Sequence, residues 1–195
     1  MKLLEIFESF IKPFKPHPDK APPETLFAFY WHYVRQVKWV FVALLIIGFF
    51  VSILEIALFS YIGKIVDLVE SVSSPSELWA EHKGAFIWMM VVIVIMRPIA
   101  SLIHNLILNQ ALTTNFTSMI RWQQHRYVLK QSINFFHSSL SGGIASRVMN
   151  TGQAIRNSVI MSTDSMWRIV IYAITTLVLF FELNAWLTVP IILWI

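Results

Sequence analysis

Three long apolar runs punctuate the chain. Phe41–Ile62 contains one charge, Glu55; Ala85–Leu108 contains Arg97, followed by Pro98; Ile169–Val189 contains Glu182. A helix rises about 1.5 Å per residue and the hydrocarbon layer of a bilayer is about 30 Å thick, so roughly 20 mainly apolar residues cross it. Each run reaches that length. After Pro190 the chain reads Ile-Ile-Leu-Trp-Ile, the start of a fourth apolar segment at 190–195. The pattern predicts an all-α, multi-pass membrane protein with spans at about 41–62, 85–108 and 169–189, with membrane lipid as a partner. Apolar helices of this length, repeated in so short a chain, do not suit a soluble core.

The polar stretches carry their own pattern. No glycine lies between Gly84 and Gly142, and no proline between Pro98 and Pro190. Nothing therefore breaks a helix from Ala85 to about Ile133, which would be roughly 70 Å long. Polarity changes near Asn109-Gln110, so the second span should leave the bilayer and continue as a rod. A break is expected at Ser138–Gly143, and a returning helix from about Ile144. Residues 109–168 then form a helical hairpin. Ahead of the first span, Met1–Phe14 shows an apolar stripe at helical spacing. Lys15–Pro23 is a proline-rich, extended linker. Residues 24–38 hold Phe27, Phe29, Tyr30, Trp31 and Tyr33. Such rings favour the headgroup layer, so this stretch reads as a surface-lying elbow helix that bends into the first span. A plain extension of that span fits the same residues. The expected division is 1–23 as N-terminal segment and linker, 24–38 as elbow, and 39–195 as the membrane domain.

Charge gives orientation. Lys2, Lys12, Lys15, Lys20, Arg35 and Lys38 precede the first span, and Arg121, Arg126, Lys130, Arg147, Arg156 and Arg168 lie in the hairpin. The intervening loop Gly63–Gly84 holds Lys64 and Lys83 against Asp67, Glu70, Glu77 and Glu81. Basic residues gather on the cytoplasmic side. The N-terminus and hairpin are thus expected in the cytoplasm, the loop outside, and the protein in an inner or plasma membrane. The net charge of +4 reflects this asymmetry. No separate basic domain is available for nucleic acid, so no such partner is expected.

Candidate chemistry is sparse. With no cysteine, disulfides and thiolate metal sites are excluded. The six histidines are scattered without metal-ligand spacing. There is no Gly-x-x-x-x-Gly-Lys-Ser/Thr loop, no Gly-x-Gly-x-x-Gly, no His-Glu-x-x-His and no Gly-x-Ser-x-Gly. The first residues make no signal peptide, because Glu5, Glu8 and Lys12 interrupt the apolar stretch. Asn115-Phe116-Thr117 fits a glycosylation sequon by chance, on the cytoplasmic side.

The intramembrane charges are the polar candidates. A lone charge at the bilayer centre costs about 3 kcal/mol even on lenient scales. Glu55 and Glu182 lie roughly 21 Å from the inner edges of their spans, and Arg97 roughly 18 Å from the outer edge of its own. Arg97 is expected to face the bundle interior and to pair with Glu55 or Glu182. Such a group is either a structural ion pair or a polar element of a translocation cavity.

Phe135-Phe136-His137-Ser138-Ser139-Leu140-Ser141-Gly142-Gly143-Ile144-Ala145-Ser146-Arg147-Val148-Met149-Asn150 resembles the first intracellular loop of ATP-binding-cassette (ABC) exporters of the type-1 transmembrane class. Ala154-Ile155-Arg156-Asn157 fits too, as does the layout from about Leu26 to Ile195. Two departures are Gly143, where many members have a charge, and Thr151, where many have Asp. The resemblance implies the permease part of an ATP-driven exporter, with Phe135, Phe136, Ser139, Gly142, Gly143 and Arg147 in a coupling loop. That loop would dock on a nucleotide-binding domain supplied in cis or trans. Such domains bind ATP and magnesium; no cofactor site is implied in this chain. The resemblance further implies a dimer of subunits. It makes the chain the N-terminal part of such a subunit, inactive alone. A membrane anchor or scaffold subunit is the alternative, although it would not need a glycine-tipped hairpin on a long rod. Within the hairpin, Phe135 and Phe136 are expected to anchor the tip, Ser141-Gly142-Gly143 to make the turn, and Arg147 to hold the two arms together.

Overall fold

The computed structural model describes residues 2–16, 21–70, 75–138, 141–183 and 189. Helix α1 is Lys2–Glu8, and α2 is Leu26–Val34. A single 3₁₀ turn, Arg35–Val37, joins α2 to α3, Lys38–Glu70. Helix α4, Pro75–Val91, is followed by a π-helical turn at Val92–Met96 and by α5, Arg97–Leu106. A second π-helical stretch, Ile107–Phe116, runs into α6, Thr117–Leu129. The remaining elements are α7, Ile133–Ser138, and α8, Ser141–Ile160, which passes through a π-helical turn at Met161–Ser165 into α9, Met166–Leu183. No strand occurs among the described residues.

Helices run past the apolar segments that signalled them. α3 continues through Gly63 to Glu70, and α4 starts at Pro75, ahead of Gly84. The expected loop Gly63–Gly84 is therefore helical on both sides of 71–74, which lie outside the described residues. Glycine costs a helix interior about 1 kcal/mol, too little to end a helix of this length. Loss of apolarity marks where a span ends, not where its helix ends. At the other end of the rod the sequence overshoots. α6 stops at Leu129 rather than near Ile133, because Lys130 leaves helical geometry and the amides of Lys130 and Gln131 turn back to Tyr127 and Val128. The N-terminal helix is likewise shorter than its apolar stripe, since Pro13 lies within a turn.

The π-helical turns have local causes. Pro98 has no amide hydrogen, and its ring would crowd the carbonyl four residues back. The helix widens just before it, with the Arg97 amide bonded to the Val92 carbonyl five residues earlier. In the second stretch Thr113 and Thr114 hydroxyls donate to the carbonyls of Leu108 and Asn109 at 2.9 and 3.2 Å, again five residues back. Thr117 and Ser118 donate four residues back, to Thr113 and Thr114. Side-chain hydroxyls of this kind supply bonds that a distorted helix loses.

The chain forms two compact units: Met1–Leu45 with Asn105–Asp164, and Ile46–His104 with Ser165–Ile195. In the first, Leu44, Leu112, Phe116 and Ile120 are fully buried, and Phe41 meets Phe116 edge-on at 5.7 Å. Gln36 and Gln123 exchange amide hydrogen bonds of 3.2 and 2.7 Å, tying the 3₁₀ turn to α6. In the second unit many large apolar residues point outward. Phe59, Ile62, Met90, Val94 and Ile169 are more than half exposed. In water such a surface would be an aggregation liability; in lipid it is the required one. Three helical stretches, Leu26–Glu70, His82–Leu129 and Gly143–Phe181, are long and apolar enough to cross a membrane.

Candidate functional site

Within the second unit, α3, α5 and α9 each contribute one polar side chain to a common cluster. Arg97 Nη2 lies 3.3 Å from Glu55 Oε1. Tyr172 donates its hydroxyl to the other carboxylate oxygen, Oε2. Of the two carboxylates anticipated for Arg97, Glu55 lies beside it among the described residues. Glu182 falls within α9, but its side chain lies outside the described residues. The widened turn at Val92–Met96 contributes to this meeting. One extra residue in a turn rotates everything beyond it by roughly 100°, so the turn sets the direction in which Arg97 projects.

The cluster opens on a cavity of about 1140 Å³, whose wall includes Ser60, Thr175 and Thr176 beside Phe59, Leu179 and Phe180. Arg97 and Glu55 side chains are 42% and 28% exposed, so the pair borders this space rather than being sealed in a core. Arg97 Nε is buried without a hydrogen-bond partner among the described residues. Both carboxylate oxygens already accept a donor, whereas the guanidinium keeps donors unspent. The arrangement can hold an amphipathic molecule with a polar group. It contains no activated nucleophile.

The hairpin of the first unit is built on close approach of α6 and α8. Gly152 is buried, and a Cβ there would come 2.9 Å from Arg121 Cγ and 3.4 Å from the Thr117 carbonyl oxygen. Arg121 donates through Nε and Nη2 to the Met149 carbonyl at 3.2 and 3.1 Å. The arginine that joins the arms is therefore Arg121, not Arg147 as the sequence suggested. Two residues before Met149, Arg147 lines a different cavity with Trp122 and Tyr127.

The tip differs from its expected form as well. Ser141-Gly142-Gly143 opens α8 and does not make the turn. No described glycine has a positive φ, so the conformational freedom of glycine is not what the tip exploits. The chain turns instead at Lys130–Ser132; Ser139, between α7 and α8, lies outside the described residues. Helix α7, which follows that turn, carries Phe135 and Phe136. Their rings meet edge-on at 5.5 Å and remain 37% and 39% exposed. Two aromatic rings left partly open on a six-residue helix form a compact apolar knob.

The elements define a helical membrane domain with a long polar hairpin. A family model for the ABC transporter transmembrane region matches residues 24–195, and the chain belongs to that family. Among curated proteins it is similar to an uncharacterized ABC transporter ATP-binding protein of Haemophilus influenzae, 29% identical over 199 residues. The alignment covers 100% of this chain and 31% of the relative, so the chain spans about a third of that protein's length. No solved structure matches. The chain is the membrane part of an ABC transporter.

Proposed function

We propose that the chain forms part of the translocation path of an ATP-driven exporter and that helix α7 couples it to a nucleotide-binding domain. ATP and magnesium are held by that domain, which is not in these 195 residues. Alone, the chain neither hydrolyses ATP nor transports. The observation that carries the reading is α7 itself, a short helix with two part-exposed rings at the end of a hairpin whose arms are tied by Arg121. A coupling element needs stiffness along its arms and an anchor at its tip, and this hairpin has both. Nucleotide would bias two packings of the helix bundle through that contact. The Arg97–Glu55–Tyr172 cluster is the polar element of the path. Two such subunits would enclose it.

The proposal places α1, α2 and the hairpin in the cytoplasm. A reporter fused after Ser73 is expected to read as external, and one fused after Ser139 as cytoplasmic. The reverse would put α7 on the face without ATP and end the coupling assignment.

A further inference from the structure

The N-terminal segment lies ahead of the family match, yet it is pinned within the first unit. Asn115 Nδ2 donates to the Glu8 carbonyl at 2.7 Å, and Ile11 is 3% exposed. That pin fixes the depth of α1. Asn115 directly precedes Phe116, and Phe116 meets Phe41 edge-on at 5.7 Å. Phe41 is the residue at which the first apolar run begins. Glu8 is thus held level with the place where the first span enters the hydrocarbon. A headgroup layer roughly 5–8 Å thick begins at that level.

The segment keeps an open apolar side there. Ile6 and Phe10, four residues apart, are 57% and 49% exposed, and the half-exposed Phe7 stands edge-on to Phe10 at 5.4 Å. Trp39, two residues before Phe41, is exposed near the same level, with Lys38 Nζ 5.2 Å from its ring centre. Apolar side chains grouped on a surface mark a contact with another phase or partner. At headgroup depth, lipid is what they meet, since rings and aliphatic chains settle at the boundary between headgroups and acyl chains. Lys12 and Lys15 are exposed along the segment, and so are Glu5 and Glu8. Burial of apolar side chains, rather than net charge, therefore drives the contact.

We propose that the N-terminal segment is a membrane-surface element, with Ile6 and Phe10 seated in the lipid of the bilayer face on which the hairpin lies. Asn115 and the buried Ile11 hold its other side to the protein. The rod is thereby braced against the bilayer at the point where it leaves it. This inference rests on the membrane placement of α3 and does not require α7 to dock on anything.

The test uses the whole 195-residue chain in lipid vesicles; because it has no cysteine, each variant carries a single label site. Ile6→Cys, Phe10→Cys, Trp39→Cys and Leu129→Cys are spin-labelled. Relaxation by oxygen, which concentrates in lipid, is compared with relaxation by a water-soluble nickel chelate. All four side chains are exposed, so the changes spare the packed core. Leu129 lies 13 residues past Phe116, about 20 Å along the helix, and should read as aqueous. Labels at Ile6 and Phe10 should favour oxygen, as at Trp39, and read about 5–10 Å into the boundary. Nickel access at Ile6 and Phe10 equal to that at Leu129 would place the segment in water and overturn the proposal. Protection from both agents would mean that protein, such as a second copy of the chain, covers this side, and would overturn it equally. The Trp39 label shows whether the membrane placement of α3 fails with it.

Discussion

Replacing Arg97 with leucine is expected to destabilise the membrane half by about 2 kcal/mol, and replacing Glu55 with glutamine in the same chain to restore most of the loss. The change leaves a carboxylate at membrane depth with Tyr172 as its one remaining donor among the described residues. Breaking a buried pair costs about 3–5 kcal/mol. This pair is open enough to its cavity, with Arg97 42% exposed, that the figure is discounted toward that of a screened pair. Neutralising Glu55 removes the uncompensated charge, so the two changes should be strongly non-additive. Tyr172→Phe should cost less, about 1 kcal/mol, because it removes one hydrogen bond and no charge. Thermal unfolding of the four forms in detergent provides the cycle. Additive effects, or full tolerance of Arg97→Leu, would place Arg97 against lipid or water and remove the cluster from the path.

Gly152→Val should be the most damaging single change in the hairpin. With Arg121 Cγ 2.9 Å from the first added carbon and the Thr117 carbonyl oxygen at 3.4 Å, the arms must part or Arg121 must swing away from Met149. Overpacking of this sort costs about 1–3 kcal/mol. Gly152→Ala brings the same first carbon against Arg121 but no further methyls, and gains about 1 kcal/mol of helix propensity over glycine, so it should cost less than valine. Limited proteolysis between α6 and α8 reports the loss. Equal protection in the valine variant and the parent would show that the arms do not depend on this contact.

What the sequence disclosed, and what it withheld, follows physical lines. The apolar runs and the glycine- and proline-free stretch made the spans and rod legible, since nothing else explains such lengths. Helix ends were less legible because hydropathy reports solvent, not backbone: α3 and α4 both run past their apolar segments. Arg97 stood out as a charge in a span, but tyrosine is ordinary there, so Tyr172 gave no signal. Gly152 was detectable in principle, since glycine inside a helix implies a packing reason. The Ser141-Gly142-Gly143 stretch misled. Small residues at a predicted break suggested a tight turn, yet they occupy the first turn of α8, where amides lack intrahelical partners and even proline is tolerated. Arg147 and Arg121 have the same chemistry, and only the facing of α6 and α8 decides which of them bridges the arms.

The central claim is that the hairpin tip docks on a nucleotide-binding domain. Because these 195 residues contain no cysteine, one can be introduced at Ser139 in a full-length subunit whose other cysteines have been removed. A second is placed in the facing groove of the nucleotide-binding domain. Oxidation should cross-link the two in membranes, and the yield should change when ATP is added. A cysteine at 139 that stays freely reactive, with no cross-link in any nucleotide state, would contradict the account.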